Sequence, residues 1–136
     1  LIVEQARDYA ILTTDAQGRI ESWSPGAQAV FGWTAQQAVG KPIDMTFVPE
    51  DRAQGVPQAE LEQARRDGSA PDVRWHQRRD GTAVFIEGTT RALADGRGGV
   101  HGFLKIGQDV TQRRRLDEAL RASEARFRFM AEALPV

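Results

Sequence analysis

At 136 residues, 40% hydrophobic and 27% charged, the chain fits one globular domain with a core of its own plus an appended helix, and it is not disordered. Its net charge is −1 and its longest basic run is only Arg113-Arg114-Arg115, so nothing asks for nucleic acid; with no apolar stretch near the ~18 residues of a membrane span and no signal-peptide opening, a cytoplasmic piece without direct membrane contact is expected. The absence of cysteine excludes a disulfide framework, a thiolate zinc site and a cysteine nucleophile.

Residues 1–8 are expected to form a flanking helix. The ends, Leu1-Ile2-Val3 without an initiator Met and the apolar Ala133-Leu134-Pro135-Val136, fit a domain cut from a longer chain. Residues 9–15 read as a strand, Ala16-Gln17-Gly18-Arg19 as a tight turn and residues 20–23 as the hairpin partner. Ser24 caps a short helix whose first residue is Pro25, with Ala27, Val30 and Phe31 inward and Gly32 at its end. Thr34-Ala35-Gln36-Gln37 is a capping box for a second short helix running toward Val39 and Gly40. Residues 41–52 carry Ile43, Met45 and Phe47 at alternate positions ahead of Pro49, which predicts an irregular segment packed on the core. Residues 57–66 read as a third helix with Leu61 and Ala64 on its apolar face, closed by Asp67-Gly68. Three strands follow, over 73–79, 82–93 and 100–110, joined by Asp80-Gly81 and by the glycine-rich 95–99 turn.

In the last strand the even positions Val100, Leu104, Ile106 and Val110 form the apolar face. That parity favours an outward, snorkelling Lys105; facing inward, it would select an anionic ligand or pair with a buried acid such as Glu87 or Asp109. At Asp109-Val110-Thr111 the strand period gives way to a helical one. Leu116, Leu120, Ser123, Phe127, Met130 and Leu134 then alternate steps of four and three, the seam of a two-stranded coiled coil, with Asp117/Arg121 and Glu124/Arg128 as flanking acid-first pairs. The bland alternative is an amphipathic helix folding back on its own domain. The order of elements implies an α+β fold: a five-stranded antiparallel sheet with short helices on one face and a long C-terminal exit helix.

The stretch over 20–40, IESWSPGAQAVFGWTAQQAVG, resembles the W-N-P-A-A-E-x-L-F-G-Y-T-x-E-E-x-x-G signature of PAS sensory domains. Arg78-Arg79-Asp80-Gly81-Thr82 is similar to that family's R-[KR]-D-G-[ST] hairpin, and Asp109-Val110-Thr111 to its D-[IV]-T exit motif. Ser24 departs from the more usual Asn but caps a helix as well. The resemblance implies a PAS core over 9–111 and a signalling helix or linker over 112–136. Ser123-Glu124-Ala125-Arg126-Phe127-Arg128 and Ala133-Leu134-Pro135 look like the opening of a further PAS domain. By resemblance, the parent is a multidomain bacterial sensor, most often a two-component histidine kinase feeding a phosphorelay and less often a cyclic-nucleotide enzyme. A downstream PAS or kinase domain would then receive the signal.

For this chain no enzymatic activity is expected: it has no Gly-rich phosphate loop, no Ser/His/Asp arrangement and no metal-spaced cluster, and Glu50-Asp51 reads as a turn feature. A cysteine-linked flavin or chromophore is excluded. The helix from which haem-binding relatives take their axial histidine has none over 57–66, and His76 and His101 lie on strands, so haem is not expected. Trp23, Trp33 and Trp75 could stack on a non-covalent flavin but read more simply as ordinary packing residues. The small residues Gly88, Thr90 and Gly107 point to a cavity, with a candidate lining of Phe31, Ile43, Met45, Phe47, Leu61, Trp75, Gly88, Thr90, Phe103, Lys105 and Gly107. The expected mechanism relays a cavity or interface change through Asp109, Val110 and Thr111 to a homodimer seam of Leu116, Leu120, Phe127 and Met130, or through residues 1–6. A ligand-free interaction module with a packed core shares every one of these motifs.

Overall fold

Five antiparallel strands form one sheet in the computed structural model, which describes residues 8–134. In chain order the elements are β1 (Tyr9–Asp15), β2 (Ile20–Trp23), α1 (Pro25–Phe31), α2 (Ala35–Ala38), a 3-10 turn (Ile43–Thr46), α3 (Pro49–Ala53), α4 (Val56–Asp67), β3 (Ser69–Gln77), β4 (Ala83–Ala94), β5 (Val100–Asp109) and α5 (Thr111–Ala133). The spatial order β2-β1-β5-β4-β3 puts β5 at the centre and β2 and β3 at the edges. The expected α+β architecture is therefore present. Of the flanking helix expected over 1–8, all but Asp8 lies outside the described residues, as does the dimer contact expected through 1–6.

Local chemistry explains the short helices. The Ser24 hydroxyl accepts from the Ala27 amide at 3.0 Å and also from the β1 amide of Ile11 at 3.1 Å, so one side chain caps α1 and pins it to the sheet. The Thr34/Gln37 capping box is formed in both directions at the start of α2. Residues 43–53 hold more regular structure than expected, the 3-10 turn followed by α3. β3 begins at Ser69, four residues before the expected start, and so includes Pro71. An edge strand tolerates a proline because only one side of its backbone needs partners.

The core lies between the sheet and the short helices. Leu12 and Ile20 from the β1-β2 hairpin, Val30 and Phe31 from α1, Ile43 and Phe47 around the 3-10 turn, Val84 and Ile86 from β4 and Phe103 from β5 are all buried there. β5 reverses the expected face. Phe103, Lys105 and Gly107 point toward the helices, whereas Leu104 is only half-buried and Ile106 is 44% exposed on the outer side. Apolarity alone assigns the wrong face because a charged residue stands inside, and it can do so because the neighbouring elements supply its counter-charges.

Candidate cavity and signal junction

Lys105 sits in the central strand, opposite Leu12 on β1 and Thr90 on β4. Its ammonium donates to the Glu60 carboxylate at 2.6 Å and lies 3.2 Å from Asp72. Glu60 comes from α4 and Asp72 from β3, so one cation joins three elements. The Thr90 hydroxyl donates to the same Glu60 oxygen at 2.8 Å, and Arg74 reaches Asp72 at 2.8 Å and Glu60 at 3.5 Å. His76, only 1% exposed, places Nε2 2.9 Å from both Asp72 oxygens and Nδ1 2.9 Å from the Thr46 carbonyl.

The electrostatics separate the two acids. Burial pushes the Glu60 carboxyl above its ordinary value, and the pull of Lys105 does not cancel it. Burial acts on Asp72 in the same sense, but Lys105 and His76 overcome it and hold that carboxyl well below the usual carboxylate range. Burial would depress Lys105, yet Asp72 and Glu60 together keep its ammonium above the ordinary lysine value. The two acids named as candidate partners for Lys105 are elsewhere: Glu87 pairs with Arg113 at 2.8 Å on the outer face, and Asp109 belongs to the junction.

Beside this cluster the free space is about 20 Å³, room for a single water molecule. Of the candidate lining, Phe31, Ile43, Lys105 and Gly107 border it, together with Ala10, Leu12, Thr46, Asp72, His76 and Ile86. Phe47, Leu61, Thr90 and Phe103 are buried in the same layer without bordering that space, and Met45 is only partly buried against the core. Trp75 is on the other side of the sheet, edge-on to Phe85 at 5.1 Å and beneath the Arg115 guanidinium. Gly88 opens no room either, since a Cβ there would stand 2.5 Å from the Ile106 carbonyl oxygen. Sequence reasoning missed Glu60 and Asp72 altogether. The available signal was alternation: Asp72, Arg74 and His76 occupy one face of β3, legible only if the strand is started before Val73. His101, by contrast, is exposed, with Nδ1 3.2 Å from the Ala94 carbonyl.

At the junction the Asp109 carboxylate accepts from the Thr111 amide at 3.0 Å and from the Thr111 hydroxyl, and that hydroxyl accepts from the Phe85 amide on β4 at 2.9 Å. Val110 donates its amide to the Phe85 carbonyl at 3.0 Å. Arg78 completes the joint, 3.5 Å from Asp109, while donating to the Val30 carbonyl of α1 at 3.1 Å and the Ala83 carbonyl at 3.0 Å. The first turn of α5 is docked on the outer face rather than merely solvated: Arg113 pairs with Glu87, Arg114 covers Phe85 at 4.8 Å and Arg115 covers Trp75 at 5.1 Å. Beyond it every residue over 118–134 is exposed, so α5 does not fold back on the domain. Leu116, Leu120, Phe127 and Met130 are 63%, 56%, 77% and 65% exposed. Asp117 and Arg121 form the expected acid-first pair at 3.2 Å.

Among the described residues no helix is long and apolar enough to cross a membrane, and no three His, Asp or Glu side chains are grouped to hold a metal. A family model described as the PAS fold matches residues 1–110. Two-component system protein A of Emericella nidulans is 31% identical over 124 residues, which span 90% of this chain and 18% of that protein. A PAS domain from Colwellia psychrerythraea superposes with a TM-score of 0.71 at 27% identity, over 82% of this chain and 99% of that one. A sensory box histidine kinase/response regulator structure from Burkholderia thailandensis reaches a TM-score of 0.69 at 23% identity, over 93% and 94% of the two chains, which speaks for the fold alone. With the sheet order, the helix-covered core and the strand-to-helix exit in agreement, the chain belongs to the PAS family of sensory domains.

Proposed function

We propose that this PAS domain is a cytoplasmic dimerising relay in a two-component signalling protein, with a core filled by its own side chains. The observation that carries the reading is the uncovered α5 seam, which begins directly after a junction bonded to β4 and to Arg78. Most of a helix's stability comes from packing of its apolar face, so four large apolar side chains on one exposed stripe call for a partner helix, and a second copy supplies the matching seam. Strand movement in β5 would then reach the seam through Asp109 and Thr111 and turn or splay the paired helices. The name of the fungal relative supports a two-component parent, a sensor histidine kinase by the further resemblance, with another PAS or kinase domain downstream.

The filled core separates this reading from that of a cofactor sensor. A space of about 20 Å³ holds neither haem nor flavin unless the Glu60–Lys105–Asp72 cluster is first taken apart. Two measurements test the reading. Sedimentation equilibrium should show a dimer that Leu120→Asp converts to a monomer; a monomer at high concentration would remove the helix seam. An absorption spectrum of the purified protein, followed by mass spectrometry after denaturation, should show protein alone. A flavin or haem band would replace the relay with a cofactor sensor.

A further inference from the structure

We propose that His76 is the proton-binding site of a pH-operated clasp between β3 and the 3-10 segment that covers the cavity. The inference rests on the filled-core reading above and gives such a core an input, a proton in place of an organic ligand.

The geometry around the ring carries the argument. Nε2 faces both oxygens of Asp72 at 2.9 Å, and Nδ1 faces the Thr46 carbonyl oxygen at 2.9 Å. The one nearby hydroxyl that could donate to Nδ1, Thr46 Oγ1, stands off at 3.5 Å and bonds the Ile43 carbonyl at 3.2 Å instead. Each ring nitrogen therefore meets an acceptor, an arrangement that the doubly protonated imidazolium satisfies in full. A neutral ring would leave one nitrogen lone pair directed at an oxygen in a site without bulk water, where an unmade hydrogen bond is expensive. Histidine is the side chain whose charge changes at ordinary pH.

The charged groups facing His76 come from three elements. Asp72 and Arg74 share its strand, Lys105 reaches in from β5, and Glu60 from α4. β4 contributes only Val84 opposite the ring, and the remaining neighbours are the edge-on rings of Phe31 at 6.0 Å and Phe47 at 4.7 Å. Nε2 faces the Asp72 carboxylate and Nδ1 only a neutral carbonyl, so a single remaining ring proton belongs on Nε2 and the one lost is the one that holds Thr46. Its loss from Nδ1 to bulk water turns an attraction across 2.9 Å into a repulsion and loosens the segment 43–47, which the Phe47–His76 bridge and the Arg74 guanidinium over the Phe47 ring at 5.9 Å also tie to β3.

The test uses the whole chain with nitrogen-labelled histidine, where exposed His101 serves as an internal reference because the sequence has only two histidines. At the acid end of the titration both ring nitrogens of His76 should carry protons, and raising the pH should remove the Nδ1 proton alone. Over the same range the amide protection factors of Met45 and Phe47 should fall about tenfold or more, while those of β5 hold. His76→Gln, if folded, should show protection at 43–47 that no longer depends on pH. A ring carrying a single proton throughout overturns the proposal, as does a titration that leaves the protection of 43–47 unchanged. A small molecule released on denaturation would instead overturn the filled-core reading, and the histidine spectra would remain interpretable on their own.

Discussion

The ammonium of Lys105 on β5 and the carboxylate of Glu60 on α4 meet at 2.6 Å inside the domain, 9% and 2% exposed as side chains. Sequence parity favours an outward Lys105, for which Lys105→Met would leave folding intact. The buried pair reverses that expectation: removing the cation strands Glu60 and half-strands Asp72 in the core, a loss of about 3–5 kcal/mol. Thermal melting should fall by about 10 °C or more. Removing both partners, Lys105→Met with Glu60→Leu, should recover much of the loss, since a buried pair replaced by apolar side chains is often neutral. A single variant that melts like the wild type would show the pair to be unformed in solution.

Asp72 and Glu60 should respond to pH with opposite signs. The carboxyl of Asp72 is held below its ordinary 3.8, so its contribution to stability is present above that value and is lost as pH falls through the lower folded value. That of Glu60 is raised above 4.5, so its contribution is fully present below 4.5 and is lost as pH rises through the folded value. Glu60 is thus the weaker member of the cluster toward neutral pH. Asp72→Asn should lose about 3 kcal/mol at pH 7 and flatten the acid limb, whereas Glu60→Gln, which keeps the shape and a bond to Thr90, should lose about 1 or less. Urea midpoints from pH 3 to 8 read the difference, and equal losses at neutral pH would contradict the assignment.

Asp109 tests the junction. Asp109→Ala removes the acceptor for the Thr111 amide and hydroxyl and frees one end of Arg78, at about 1–2 kcal/mol. The loss should be local: faster amide exchange in the first turn of α5 and altered pairing of the exit helix, with protection at 43–47 unchanged. Equal loosening around the cavity would place Asp109 in the core structure rather than in the relay.

The elements were largely legible in the sequence because their signals are local. Ser24, Thr34 and Gln37 cap short helices within a few residues of themselves, and Asp80 and Asp95 organise their turns through nearby amides. The Asp109-Val110-Thr111 junction was legible for the same reason, by the change of period across it. The interior was not, because its polarity is cooperative. Lys105, Glu60 and Asp72 each look like surface residues alone, and only the register Leu12↔Lys105↔Thr90, with α4 folded over it, puts their charges together. Trp75 misled for the converse reason: a large aromatic reads as core, yet the outer face is covered by the Arg115 side chain of α5.

The paired glycines give the last prediction. Gly88 on β4 is the register partner of Gly107 on β5, and both read from sequence as space left open for a ligand. A Cβ on Gly88 would lie 2.5 Å from the Ile106 carbonyl oxygen and 2.7 Å from the Gly107 Cα, backbone atoms held by the sheet ladder. A Cβ on Gly107 would meet Ile86 Cγ2 at 2.6 Å, and a side chain can turn away at modest cost. Gly→Ala replacement ordinarily gains about 0.4–1 kcal/mol by restricting the unfolded chain. Here the clash should outweigh that gain at Gly88, with a net loss of about 2–3 kcal/mol, and leave Gly107→Ala at about 1. Thermal melts of the two variants give the order directly. A Gly88→Ala protein as stable as the wild type would mean that β4 and β5 can separate at this point, which would restore the glycine pair as the floor of an expandable cavity.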